Sequence, residues 1–206
     1  MILDGGVRVT SLREGEPVLE GPMRIWNHFQ GDHVSLRVLE LDSDGRTELY
    51  NADQEEVLYQ FGADVAIHLP VRHELTLDGA MTMISVRTPA TSSATHTLIV
   101  TLDEKPLQRT GDRWYTELIQ GEVTQFVGII PPGRAPDHFH LYEEVLCILD
   151  GEGVMWAGTS RAPITTGSCI YLPRMQMHCV ENTGSRDLKL LGVFYPAGSP
   201  AVRYSA

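Results

Sequence analysis

The sequence predicts an all-β protein of two tandem barrels, and two observations predict it: the apolar runs are all of strand length, and the chain is written twice. Glycine and proline punctuate short runs rich in Val, Ile, Leu and Thr. HVSLRVLEL, HELTL, MTMISV and HTLIVTL fall in the first half, and TQFVGII, EEVLCIL, SCIYL and LKLLGVF in the second. Runs of this kind between turn formers read as strands. No stretch sustains an apolar period of 3.6 residues, so only short helical turns are expected, and many closely spaced strands point to a sandwich or a closed barrel.

The repetition is direct. DGRTELYNADQEEVL, near residue 50, aligns without a gap on PGRAPDHFHLYEEVL, near residue 138. The shift is 88 residues for Gly45 and Gly133, for Glu56 and Glu144, and for Gly79 and Gly167. A unit this long is no solenoid repeat, because each copy can close a core of its own. The polar stretch DEKPLQRTGDR, residues 103–113, is the natural joint. The expected domains are therefore 1–106 and 107–206.

Composition sets the outer limits. With 206 residues, 42% hydrophobic and 21% charged, and no low-complexity tract, the chain belongs with ordinary globular proteins. A formal charge of −11 without any basic stripe argues against nucleic acid and anionic lipid as partners. The opening MILDGGVRVTSLREGE has acids and glycines where a signal peptide needs a basic patch and an apolar stretch, and no apolar run reaches membrane-spanning length. A cytoplasmic protein without membrane contact is expected. Cys147, Cys169 and Cys179 are odd in number, show no Cys-x-x-Cys spacing and sit in apolar stretches, so they read as buried thiols rather than a disulfide framework.

The second copy carries a constellation that the first lacks. In PGRAPDHFHLYEEVLCILDG, strand alternation turns His138 and His140 to one side and Phe139 to the other. Glu144 follows after a short link, and His178 arrives from TGSCIYLPRMQMHCVEN, about 35 residues further on. Three imidazoles and one carboxylate suit a divalent metal and, in an octahedral site, leave two positions open for chemistry. Subtracting the shift gives Tyr50, Ala52 and Ala90 in the first copy, which keeps Glu56 and none of the histidines, so it is expected to be a structural and dimerisation half in preference to a wall of the pocket. Alternation turns Glu143 away from the interior, favouring Glu144 as the ligand. His28, His33, His68, His73 and His96 read as ordinary core or surface histidines.

These residues resemble the two motifs of the cupin superfamily: a His-x-His pair with Glu144 and Gly151, then Gly167, Pro173, His178 and Asn182. The resemblance is strong from Gly133 to Asn182 and faint in the first half, and it implies a bicupin: two double-stranded β-helix, or jelly-roll, barrels. Two departures stand out: Gly133 lies five residues before His138 where the family has six, and Met175 occupies the position of a motif glycine. The resemblance implies a metal-dependent enzyme acting on a small oxygen-rich organic molecule, with His138, His140, Glu144 and His178 as ligands. Fe2+ or Mn2+ is favoured, with Ni2+, Cu2+ and Zn2+ also compatible. Similar bicupins include dioxygenases that cleave phenols or diketones, so an oxidoreductase of that type is the first expectation. A metal-dependent isomerase, cyclase, lyase or aminohydrolase is the alternative, and a non-enzymatic binder a further one.

If Glu144 faces inward, Leu146 and Ile148 do too, and Tyr171, Phe126 and Trp156 are candidates to line the substrate pocket. Glu144 and His178 are the residues expected nearest the chemistry; Glu143, Tyr171 and Tyr142 are the candidate proton carriers. Arg134, Arg174 and Arg203 are candidates to pair with a substrate carboxylate. The tail FYPAGSPAVRY reads as a strand and a loop covering the barrel mouth. Open β-edges need cover, so a homodimer is expected.

Overall fold

A computed structural model describes residues 1–90, 95–202 and 204. Every apolar run named above lies in a strand, and the helical segments among the described residues are single 3-10 turns at Asp4–Gly6 and Leu102–Glu104. The chain divides into two units, Leu12–Glu104 and Met1–Ser11 with Lys105–Ala206. This departs from the expected 1–106 and 107–206 at the N-terminus. Strand β1 (Arg8–Ser11) runs antiparallel to a strand of the second unit, Arg8 opposite Tyr171 and Ser11 opposite Ser168. Val7 and Val9 are buried in that unit's core, and the Asp4 carboxylate accepts hydrogen bonds from the Thr159 backbone N–H and hydroxyl. Eleven residues carry little periodic signal, so pairing with a distant strand could not be read locally.

The first unit contains β2 (Val18–Glu20), β3 (Met23–Gln30), β4 (Ser35–Leu41), β5 (Arg46–Tyr50), β6 (Gln54–Gln60), β7 (Val65–Leu69), β8 (Glu74–Asp78), β9 (Met81–Pro89) and β10 (Leu98–Thr101). A seven-stranded sheet in the order β10-β7-β6-β9-β4-β3-β2 faces the pair β5-β8. Ile25, Leu39, Leu58, Leu69 and Leu77 meet between them. Each such side chain contributes about 1.5–3 kcal/mol by leaving water.

The second unit contains β11 (Gln108–Thr110), β12 (Arg113–Ile119), β13 (Thr124–Ile130), β14 (Gly133–Arg134), β15 (Glu143–Asp150), β16 (Glu152–Ala157), β17 (Ser160–Thr165), β18 (Ser168–Leu172), β19 (His178–Asn182) and β20 (Leu188–Tyr195). Its sheets run β1-β18-β15-β20-β13-β12-β11 and β14-β19-β16-β17. Phe126, Leu146, Met155, Ile164, Ile170 and Phe194 belong to the core between them. Two facing antiparallel sheets in each unit make this a fold of tandem jelly-roll barrels.

The two barrels match row for row in register. In the first, Glu56 is paired with Leu69 on one side and Arg87 on the other, and Arg87 with Ser35. In the second, Glu144 is paired with Leu172 and Phe194, and Phe194 with Thr124. Glu56 thus corresponds to Glu144, but Leu69 corresponds to Leu172 and Arg87 to Phe194, so the 88-residue shift is lost beyond these glutamates. The hairpin β16–β17 causes the break, since β6 pairs directly with the next strand, β7. The sequence equivalences of Gly79 with Gly167 and of Ala90 with His178 are therefore not structural. β8 pairs with β5 as β19 pairs with β14, placing Glu74 opposite Tyr50 where His178 lies opposite His138.

Candidate metal centre

His138 and His178 are fixed opposite each other by the backbone. His138 N–H donates to the His178 carbonyl at 3.0 Å and His178 N–H to the His138 carbonyl at 2.8 Å, a closed antiparallel pair. Phe139 turns to the other side, where its ring stacks on Tyr204 at 5.7 Å. His140 returns to the His138 side, with its ring centroid 4.9 Å from that of His138 and 5.4 Å from that of His178. Its carbonyl accepts from Met175 N–H at 2.8 Å, tying the His-x-His segment to the turn before His178. Met175 holds that turn at φ 63°, the left-handed conformation a glycine adopts freely.

One ligand atom from each of His138, His140 and His178 lies within 4.8 Å of the others, a grouping that occurs once among the described residues. Glu144, near the start of β15, is 5% exposed and points the same way. Its Oε2 lies 3.4 Å from His178 Nε2 and 3.6 Å from His140 Nε2, is buried, and has no hydrogen-bond partner. A buried carboxylate oxygen without a donor is costly unless a cation meets it.

Protonation suits metal ligation. His138 Nδ1 is 3.1 Å from the Pro136 carbonyl and His178 Nδ1 is 2.8 Å from the Gln176 carbonyl. A carbonyl only accepts, so the proton sits on Nδ1 and the Nε2 lone pair is left for the centre. Burial, helped by the neighbouring His178 charge, pushes His138 down to about 4, keeping it neutral at pH 7. Burial pushes Glu144 up, but the His140, His178 and His138 rings around it outweigh burial and leave it below the usual carboxylate range. The set fits a divalent cation: three imidazole nitrogens and one carboxylate oxygen, with the His138 and His178 rings anchored from behind.

Above the cluster lies a cavity of about 80 Å³, lined by the three histidines, Glu144, Phe126, Leu146 and Phe194, and further along by Tyr115, Ile130, Val180 and Arg113. Pro200 of the tail also borders it. Of the residues expected in the pocket, Leu146 and Phe126 line it, and three others do not. Ile148 is fully buried in the core two residues further along β15. Tyr171 and Trp156 belong to the opposite faces of their strands, where Ile170, Leu172, Met155 and Ala157 are the residues that face the core. The Tyr171 hydroxyl donates to Glu143 at 2.5 Å, and Trp156 Nε1 donates to Glu181 at 2.7 Å beneath the guanidinium of Arg134. Glu143 turns away from the cavity, yet it is fully buried rather than solvent-facing.

The expected carboxylate-pairing arginines are also elsewhere. Arg134 is tied to Asp137 and Arg174 donates to the Leu141 carbonyl; Arg203 lies outside the described residues. Arg113, on the edge-side strand β12, is the arginine in the cavity wall. Its signal was the alternation of Arg113 with Tyr115 in RWYTELI, a run too polar to stand out as a strand. Tyr142 stacks on His140 at 4.9 Å with its hydroxyl on the Ser199 carbonyl, and burial raises its phenol far above the ordinary value. It is therefore a poor proton carrier. Of the other histidines, His28, His68 and His73 make separate contacts with the Leu12 carbonyl, Glu55 and the Val71 carbonyl.

Comparison with known proteins agrees with this geometry. Residues 126–194 match the family model described as Cupin domain. The oxalate-binding protein of Thermotoga maritima is 38% identical over 66 residues, 31% of this chain and 54% of that protein. The chain spans about half or less of the length of the curated relatives it matches, 40–54%. Among solved structures, the putative glyoxylate induced protein of Pseudomonas aeruginosa superposes with a TM-score of 0.79 at 12% identity, over 96% of this chain and 91% of that one. A point mutant of oxalate decarboxylase from Bacillus subtilis gives 0.73 at 12% identity, over 93% and 78%. At such identities the structural likeness establishes the fold, and the sequence match falls on the barrel that carries the histidine cluster. The chain thus shares the fold of these two-barrel structures, and the stretch that matches the Cupin domain model, residues 126–194, lies in the later barrel.

Proposed function

We propose that the later barrel is a metal-dependent enzyme site for a small oxygen-rich anion, with His138, His140, Glu144 and His178 holding one divalent ion, iron or manganese in preference to nickel, copper or zinc. The observation that carries this is the buried, unpartnered Glu144 oxygen facing two imidazole nitrogens at the floor of a cavity. A bound metal would supply Lewis acidity or redox capacity and two positions for substrate oxygens. The residues of the chain bind and orient: Phe126, Leu146 and Phe194 exclude water, and Arg113 adds positive charge along the wall. The space next to the cluster is small, about 80 Å³. A short carboxylate fits it, in keeping with relatives named for oxalate binding and oxalate decarboxylation.

Oxidoreductase chemistry of the dioxygenase kind is preferred over isomerase, cyclase, lyase or aminohydrolase chemistry. With the histidines and Glu144 committed to the metal, no further carboxylate or imidazole lines the cavity to serve as a general base. Metal analysis followed by oxygen-electrode and product assays, after anaerobic loading with Fe2+ or Mn2+ and addition of oxalate, glyoxylate or related short acids, tests this. Turnover lost in His140→Ala with an unchanged melting temperature of the metal-free protein is expected. Tight ligand binding without turnover under any metal would leave the binder reading, which the name of the Thermotoga relative favours. We also propose a homodimer, for which light scattering should give twice 22.9 kDa.

A further inference from the structure

The first barrel has lost the histidines but not the glutamate, and what surrounds that glutamate is cationic. Glu56 is fully buried, and Arg37 Nη2 reaches its Oε1 at 2.6 Å while Ser85 donates to the same oxygen. Asn51 Nδ2 occupies Oε2 at 2.5 Å. A second guanidinium, Arg87, stands 3.6 Å from Oε2 without a hydrogen bond to it, and its Nε is buried with no hydrogen-bond partner. By register Arg87 holds the position of Phe194, and Arg37, paired with Ser85, that of Phe126, paired with Gly192. The two aromatic walls of the metal cavity are thus two arginines here. One carboxylate, already saturated by other donors, faces two cations.

Both arginines border a cleft of about 420 Å³ with Asn27, Gln30, Ser35 and Gln54, and no acidic side chain lines it. His28 also borders it but donates its Nε2 proton to the Leu12 carbonyl, and burial lowers its pKa, so it enters as a neutral wall. Besides Glu56, Glu20 on β2 is the acid whose charge reaches Arg87, and it lies outside the lining. In a chain of net charge −11, an acid-free cleft holding two guanidiniums and several amide and hydroxyl donors is a local exception. Guanidinium forks match oxyanions in geometry and charge.

We propose that this cleft is a second ligand site, specific for a small oxyanion of the carboxylate or phosphate type, seated on Arg87 and independent of the metal centre. Isothermal titration of the full chain as metal-free His140→Ala with oxalate, acetate and inorganic phosphate, against chloride at equal ionic strength, tests it. Saturable binding of at least one oxyanion is expected in His140→Ala, with a loss of about tenfold or more in the Arg87→Met double variant. Should Arg87→Met fail to fold, the nitrogen resonance of Arg87 Nε in His140→Ala is the readout, and it should shift on oxyanion addition. No binding above chloride in His140→Ala, equal binding without Arg87, or an unmoved Nε resonance would overturn the proposal. None of these results depends on whether the other barrel turns over a substrate.

Discussion

Replacing Arg37 with Met should cost the first barrel about 3–5 kcal/mol at neutral pH, because it strands a carboxylate with no water to fall back on. The Glu56 side chain is 0% exposed and that of Arg37 8% exposed, so no solvent replaces the lost cation. The pH dependence follows from the direction of the shift. Burial pushes Glu56 up, but the Arg37 charge with the Ser85 and Asn51 hydrogen bonds outweighs burial and leaves it below the ordinary carboxylate range. A depressed folded-state pKa contributes stability that is present above the ordinary value and lost as pH falls through the folded one. Without Arg37 the balance tips towards burial, Glu56 takes up its proton more readily, and the variant recovers part of its deficit on acidification. Urea unfolding at pH 7.5 and pH 5 should therefore show a larger gap between wild type and Arg37→Met at the higher pH. The double variant Arg37→Met/Glu56→Leu should regain most of the loss, since removing both charges is far cheaper than removing one. An equal gap at both pH values, or no recovery in the double variant, would refute this electrostatic account of Glu56.

Three further outcomes can be measured. Met175→Gly should raise stability by about 0.5–1 kcal/mol, seen as a higher melting temperature, because the left-handed strain at φ 63° exceeds the added freedom of a glycine in the unfolded chain; an unchanged or lower value would show that the turn carries no strain. Gly192→Ala would set a Cβ 2.2 Å from the Phe126 ring, costing about 1–3 kcal/mol and driving the ring into the cavity. Metal stoichiometry should stay the same while short-carboxylate affinity falls, and calorimetry showing unaltered affinity would exclude Phe126 as the cavity wall. Tyr171→Phe removes a hydroxyl donor from the buried Glu143 and should cost about 1–3 kcal/mol by urea unfolding, a prediction that a neutral result would defeat.

The metal-type cluster was legible because its signal is local. His138 and His140 two apart on an extended segment must face one way, and Glu144 follows close behind them. His178 needed the family spacing, and in the structure it closes directly on His138 through a backbone bridge. The pocket wall was read less well. Leu146 and Phe126 line it, but Tyr171 and Trp156 face away, because assigning a face on β16 and β18 requires their registers against β19 and β15. Arg113 and Arg87 went unnoticed since an arginine in a polar run looks like a solvated one until the fold encloses it.

By itself the sequence carried the all-β class in its strand-length runs, the two copies in its self-alignment, and the common face of His138 and His140 in short-range alternation. Tertiary structure alone decided three things: that residues 1–11 pair into the second unit, that β16–β17 breaks the constant shift, and that the lost histidines were answered by arginines around Glu56. The reason is physical. Strand pairing and the burial of charge join residues far apart in the chain, and neither leaves a periodic trace in any single segment.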